Sequence, residues 1–217
     1  MQAMNQAEDH EDALKIALAE YSLLMHSRMN SHEGSGRRFG YYSATLSFAA
    51  AAIALAFGTI KDPTTARVVA GSIAGTFFTL GLGMFGRLVE LKANAILYTR
   101  GLNALRAYFA TRAPELIPYL VLPLDERFPP FVPKRLSELV SKSLAGTAGL
   151  TNGAVFGIAA GLLAGEATDN IAAGIPIGLP AFVLMSLIHL WYHHWRLSKA
   201  ERNYDLSLSV RTKDSRN

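Results

Sequence analysis

Apolar and polar positions fall along this chain in blocks rather than at the short period of a soluble fold. Residues 39–60, 68–86, 143–165 and 170–188 contain no Asp, Glu, Lys or Arg. As a helix the first block extends about 33 Å at 1.5 Å per residue, enough to cross a hydrocarbon core of about 30 Å. Buried strands and helices of soluble proteins also read as apolar runs, but seldom stay free of charge for about 20 residues. A charged side chain at the centre of a spanning helix costs about 2.5–3.5 kcal/mol on insertion scales, and four uncharged blocks fit that penalty. The pattern predicts an all-α integral membrane protein with four transmembrane helices in two hairpins, plus cytoplasmic amphipathic helices. Its expected segments are an N-terminal amphipathic helix over residues 1–36, a first hairpin over 37–86, a helical cytoplasmic segment over 87–142, a second hairpin over 143–195 and a tail over 196–217.

Between the blocks the period changes. Leu14, Ala17, Leu18, Tyr21, Leu24, Met25 and Met29 recur at helical spacing over residues 8–32. Glu8, Asp9, Asp12 and Glu20 lie off that stripe, and Glu11 falls at its edge. The breaker-rich stretch 31–36 (SHEGSG) is expected to end this helix. Residues 61–67 (KDPTTAR) read as a short turn broken by Pro63. Residues 87–112 read as a helix continuous with the second block. Its face carries Leu88, Leu91, Ala95, Leu102, Leu105 and Phe109, with Tyr98 beside it, and Pro114 ends it. The prolines that follow, in residues 115–124 and 128–133, break up an apolar stretch. The two amphipathic segments are expected to pair, Leu18, Tyr21 and Met25 meeting Leu91, Leu102 or Leu105.

Basic residues set the orientation. Lys15, Arg28, Arg37 and Arg38 precede the first block, nine Lys and Arg lie between the second and third, and six follow the fourth. The first short turn holds only Lys61 and Arg67, and the second holds none. The positive-inside rule therefore places both termini and the middle segment in the cytoplasm. Tyr41 and Tyr42 at one end, and Trp191, Tyr192 and Trp195 at another, fit interfacial aromatic belts. The net charge of +4 would suggest nucleic acid in a soluble protein. Here the basic residues flank apolar blocks, so anionic lipid headgroups are the expected counter-charge and no nucleic acid is expected. The chain has no cysteine, which excludes disulfides, thiolate metal sites and a cysteine nucleophile. Residues 1–13 are polar and acidic, so no cleavable signal peptide is expected.

Candidate chemistry is sparse. Gly149, Gly153, Gly157, Gly161 and Gly165 recur at every fourth residue and drift slowly around one helix face, where they let another backbone approach closely. They serve either as an oligomer seam or as packing against span one, two or four of the same chain. Gly71 and Gly75 form a shorter version in the second block, and residues 49–52 offer an alanine-rich surface. Gly174, Pro176, Gly178 and Pro180 suggest either a broken helix lining a pathway or a kink or non-helical start of the fourth span. His189 and His193 stand at i, i+4 with His194 adjacent, a spacing able to hold a metal. With no cysteine and no carboxylate at a matching offset, they are read as an interfacial anchor. No metal and no cofactor are expected.

The spans hold polar groups such as Ser72, Thr76, Thr79, Thr147, Thr151 and Asn152 but no ionisable acid or base of the kind that coupled transporters use. No phosphate loop, zincin motif or nucleophile elbow is present, so the protein is expected not to be an enzyme. Residues 87–123, through Arg100, Asn103, Arg106, Tyr108, Phe109, Pro114, Leu116 and Tyr119, are similar to a loosely defined group of uncharacterised bacterial multi-pass membrane proteins. The order of a helix followed by two spans also resembles the SLATT-type effector domains of bacterial conflict systems, from which this chain departs by its second hairpin. These resemblances imply a bacterial inner (cell) membrane location, and the second implies a membrane-perforating activity. The expected function is a membrane scaffold or signalling component binding a cytoplasmic protein partner, with Arg100 and Arg106 as candidate docking side chains. A pore or channel assembled as a homo-oligomer through the glycine row, and a small transporter, are the alternatives.

Overall fold

The computed structural model describes residues 2–214 apart from 121, 134, 142 and 169; the side chains of residues 2–13, 116, 136, 139, 141, 171 and 209–214 also lie outside the described set. Glu8, Asp9, Glu11, Asp12, Leu116, Lys134, Lys142, Arg211, Lys213 and Arg216 thus fall outside the described side chains.

The structure is 89% helical, with no strand among the described residues. The helices are α1 (Gln2–Thr59), α2 (Pro63–Arg112), a 3-10 helix (Pro114–Tyr119), α3 (Leu136–Ser141), α4 (Leu144–Ala167) and α5 (Ile171–Asp214). Four of them, α1, α2, α4 and α5, are long and apolar enough to cross a membrane.

Helix ends follow local chemistry. Pro63 sits in the first position of α2, where its missing N–H costs nothing, and the Thr65 N–H donates to Asp62 Oδ2 at 2.8 Å. The turn is therefore shorter than residues 61–67, because proline there starts a helix instead of breaking one. Those Thr65 bonds hold the Asp62 carboxyl below the ordinary carboxylate range. α2 stops at Arg112, two residues before Pro114, which disfavours helical geometry in the residue preceding it. Between α4 and α5 the Ala172 N–H donates to Asn170 Oδ1 at 3.0 Å, the bond of an N-cap.

Two further sequence expectations give way. α1 continues unbroken through residues 31–36. Glycine in a helix costs about 1 kcal/mol relative to alanine but removes no hydrogen bond, and this stretch contains no proline. α5 likewise runs through Pro176 and Pro180, so the fourth apolar block has neither a broken nor a non-helical start. The N–H that Pro176 lacks would have bonded a carbonyl in the first turn, and α4 packs directly against the glycines flanking it. The short helix α3 lies within the expected helical segment 87–142, though its own bounds are not marked in the sequence.

The chain divides into two compact units. The first comprises Met1–Glu33 and Leu91–Phe131, and gathers most of the two amphipathic segments. Tyr21 packs edge-on to Phe109, and Leu24 lies over Gly101, where an added Cβ would be 3.1 Å from its methyl carbon. Leu102 is fully buried, whereas Leu18 is 53% exposed. The two segments thus pair, with Tyr21 and Leu24 at the contact in place of Leu18.

The second unit comprises Gly34–Glu90 and Val132–Asn217. It is a four-helix arrangement of parts of α1 and α2 with α4 and α5, and α3 packs on α4 and α5. Its interior is small: Ala49, Ala56, Ala70, Ala74, Ala145, Ala148 and Ala159 are buried, with Phe85, Leu88 and Val89. Its large apolar side chains point outward, among them Phe48 at 77% and Ile175 at 69% exposure. Arg67 Nε meets Glu166 Oε2 at 2.6 Å, which brings the α1–α2 and α4–α5 turns to one end of this unit. At the other end Arg196 approaches Glu90 at 3.5 Å.

Candidate functional site

The glycine row of α4 turns its face to α5 of the same chain. A Cβ added to Gly157 would stand 2.7 Å from the Gly178 carbonyl oxygen, and one on Gly161 would stand 3.1 Å from that of Gly174. Reciprocally, a Cβ on Gly178 would stand 2.7 Å from the Gly157 carbonyl oxygen. Gly153 faces Ser186 and the Phe182 carbonyl, and Gly149 lies between the Phe85 ring and the His189 Cβ. Gly165 is buried and its carbonyl accepts from the Asn170 N–H at 3.0 Å. The row is an intrachain seam, made with the Gly174–Gly178 pair of α5. Of the shorter row, Gly71 meets Leu163 of α4 and Gly75 meets nothing within 4 Å. Outside the seam, Ile158, Leu162, Ile175 and Leu179 flank an open apolar groove of about 450 Å³.

Arg100 and Arg106 are not surface side chains: they are 2% and 7% exposed. Their role as candidate docking residues is corrected accordingly. Arg100 Nε donates to the Pro129 carbonyl at 2.9 Å, and its guanidinium lies 4.4 Å from the centre of the Phe131 ring. Arg106 donates to Asn103 Oδ1 at 2.9 Å and to the Tyr21 hydroxyl at 3.2 Å. Asn103, itself buried, donates through Nδ2 to the carbonyls of Asp125 and Phe128. These three polar residues lie on one face of α2, at positions i, i+3 and i+6, and clasp residues 125–131 and α1 to it. The same spacing lets them read as an exposed basic stripe in sequence. Burial also lowers the Lys92 ammonium on the same stretch of helix from its ordinary value.

A second polar group sits inside the four-helix unit. Asn152 of α4 is fully buried. Its Oδ1 accepts from the Tyr42 hydroxyl of α1 at 3.4 Å, and its Nδ2 lies 3.2 Å from His189 Nε2 of α5. His189 Nδ1 is 2.7 Å from the Met185 carbonyl oxygen. From α2, Gly81 supplies the space, since a Cβ there would collide with the Asn152 amide. All four long helices thus contribute to one buried point. His193 is buried as well, with the Phe85 ring set edge-on to both it and His189, while His194 is exposed. Among the described residues no three His, Cys, Asp or Glu side chains gather as a metal site. The i, i+4 histidines face the bundle interior rather than forming an interfacial anchor; the aromatic role falls to Trp191 and Trp195, stacked on the exposed side. Sequence alone marks Asn152 and His189 separately as polar residues in or beside apolar blocks. It does not mark Tyr42 or Gly81 as their partners, because the four come from four different helices.

Neither a family model, nor a curated protein, nor a solved structure matches this chain.

Proposed function

We propose that this is a non-enzymatic multi-pass protein of the bacterial cell membrane. Its four spans lie within α1, α2, α4 and α5, and both termini are cytoplasmic. One observation carries the membrane reading: in the four-helix unit alanine, glycine and polar groups are inside, while Phe48, Leu55, Leu80, Ile175, Leu179 and Leu184 are exposed. A soluble bundle buries such side chains at about 1.5–3 kcal/mol each, and leaving them out is favourable only where the surroundings are apolar. The pairing of the two short turns through Arg67 and Glu166 supports a common, outer side for both.

Within that membrane protein, the unit of Met1–Glu33 and Leu91–Phe131 acts as the cytoplasmic recognition module of a scaffold or signalling component. It is fixed internally by the Arg100–Asn103–Arg106 network yet exposes Leu18, Leu23, Tyr119 and Phe128. Those apolar residues, rather than the arginines, are the surface on which a protein partner docks. A pore built through the glycine row has less support, because those glycines are occupied by α5 of the same chain. Photo-crosslinking residues placed at Leu23 and Tyr119 in cells test the recognition reading. A discrete crosslinked protein is expected, and crosslinks to lipid alone would argue against it.

A further inference from the structure

The hydrogen bonds around Asn152 have a direction. A backbone carbonyl only accepts, so His189 Nδ1, at 2.7 Å from the Met185 oxygen, carries the ring hydrogen. In a neutral imidazole Nε2 then holds a lone pair and accepts from the Asn152 Nδ2 at 3.2 Å. That fixes the amide orientation and leaves Oδ1 to accept from the Tyr42 hydroxyl. The native arrangement is therefore written for an uncharged His189.

We propose that the Tyr42–Asn152–His189 chain is a proton-responsive latch joining α1, α4 and α5. A proton taken from water onto Nε2 turns that acceptor into a donor facing the Asn152 NH2 group. Two donors repel, and the conflict is relieved when the amide rotates to offer Oδ1 to the imidazolium. Its NH2 then faces the Tyr42 oxygen, which becomes an acceptor and must turn its own hydrogen elsewhere. Protonation on α5 is thereby read out on α1, two helices away, through one amide. Gly81 is part of the device, because any side chain there would occupy the amide's place.

Of the titratable groups nearby, Tyr192 on α5 meets the same Phe85 ring, with 5.9 Å between ring centres. Glu90 on α2 is held by Arg87 and Arg196, and Glu166 at the far end of α4 by Arg67. Glu138 lies on α3. Tyr42 reaches His189 through Asn152, and His193 reaches it through the shared edge contact with Phe85. The sign follows from the neutral ring: the latch holds its native hydrogen-bond order at neutral pH and above, and that order reverses, at the cost of the Tyr42 hydroxyl's acceptor, as pH falls through the histidine range.

The chain carries its own reporters, since its two tryptophans, Trp191 and Trp195, lie on the same helix as His189, within two turns of it. In the full-length protein in nanodiscs, tryptophan emission is expected to shift between about pH 7 and 5. The Tm should fall by on the order of 2–4 °C over the same range. His194→Gln should keep both responses and His189→Gln should lose most of both. Undiminished responses in His189→Gln overturn the proposal. Should that variant not fold, nitrogen NMR of the wild-type protein decides, with His189 identified through its contact to a carbon-labelled Met185 carbonyl. A hydrogen on Nδ1 and none on Nε2 at neutral pH is expected, and the opposite tautomer contradicts the latch.

Discussion

Gly81 and Gly75 lie almost two turns apart on α2 and differ in what surrounds them. A Cβ at Gly81 would collide with an amide held on either side by Tyr42 and His189, whereas one at Gly75 meets nothing within 4 Å. Gly81→Ala should therefore destabilise the protein by about 1–3 kcal/mol through overpacking. Gly75→Ala should leave it unchanged or more stable by up to about 1 kcal/mol, since alanine is the better helix former. Thermal unfolding of the two variants in the same detergent makes the comparison, and equal stability would remove Asn152 from its assigned place. Arg106 gives a second residue-scale test. Arg106→Ala removes bonds to Asn103 and Tyr21, at a cost of about 1.5–3 kcal/mol for hydrogen bonds to a charged group. Hydrogen exchange should quicken in residues 91–131 and stay unchanged in 144–167. Arg100 and Arg106 show where sequence reading falls short: their spacing was plain, but a buried basic side chain donating to backbone carbonyls looks the same in sequence as an exposed one.

At the scale of elements, the spans were the most legible part, because a charge-free block leaves little choice of structure. The glycine row was also legible, though not its partner, since a row of small residues says that something approaches closely without saying what. The structure supplies Gly174 and Gly178 on α5. Gly157→Leu should thus prevent α4 and α5 from meeting and abolish a monodisperse folded species in size-exclusion chromatography, while Ile158→Ala, on the exposed side, should be tolerated. Helix ends were read less well. Residues 31–36 looked like a stop because glycine and serine are poor helix formers, but propensity is a graded cost and neighbouring packing outweighs it. Asp62, by contrast, sets a definite start. Its carboxyl is held below the ordinary range by Thr65, so its contribution is complete above the usual carboxylate value and is lost only as pH falls through the lowered one. Asp62→Ala should fray the first turn of α2 at neutral pH, visible as faster exchange at Ala66 and Arg67.

At the scale of the whole molecule the proposed arrangement has four crossings, with the α1–α2 and α4–α5 turns on the outer side and α3 on the inner. Small residues inside, large apolar residues outside and basic residues gathered away from the short turns support that proposal. The partner-binding module and the proton latch are separate claims that can fail without disturbing it. The absence of native cysteine makes the arrangement directly measurable, because any single introduced thiol is the only one in the chain. Cysteines at Thr64, Thr168 and Ser137, each exposed, are tested one at a time with a membrane-impermeant maleimide on intact cells. The account predicts labelling at Thr64 and at Thr168, and labelling at Ser137 only after the membrane is opened. Labelling of Ser137 on intact cells, or of only one of the two turn positions, would contradict it.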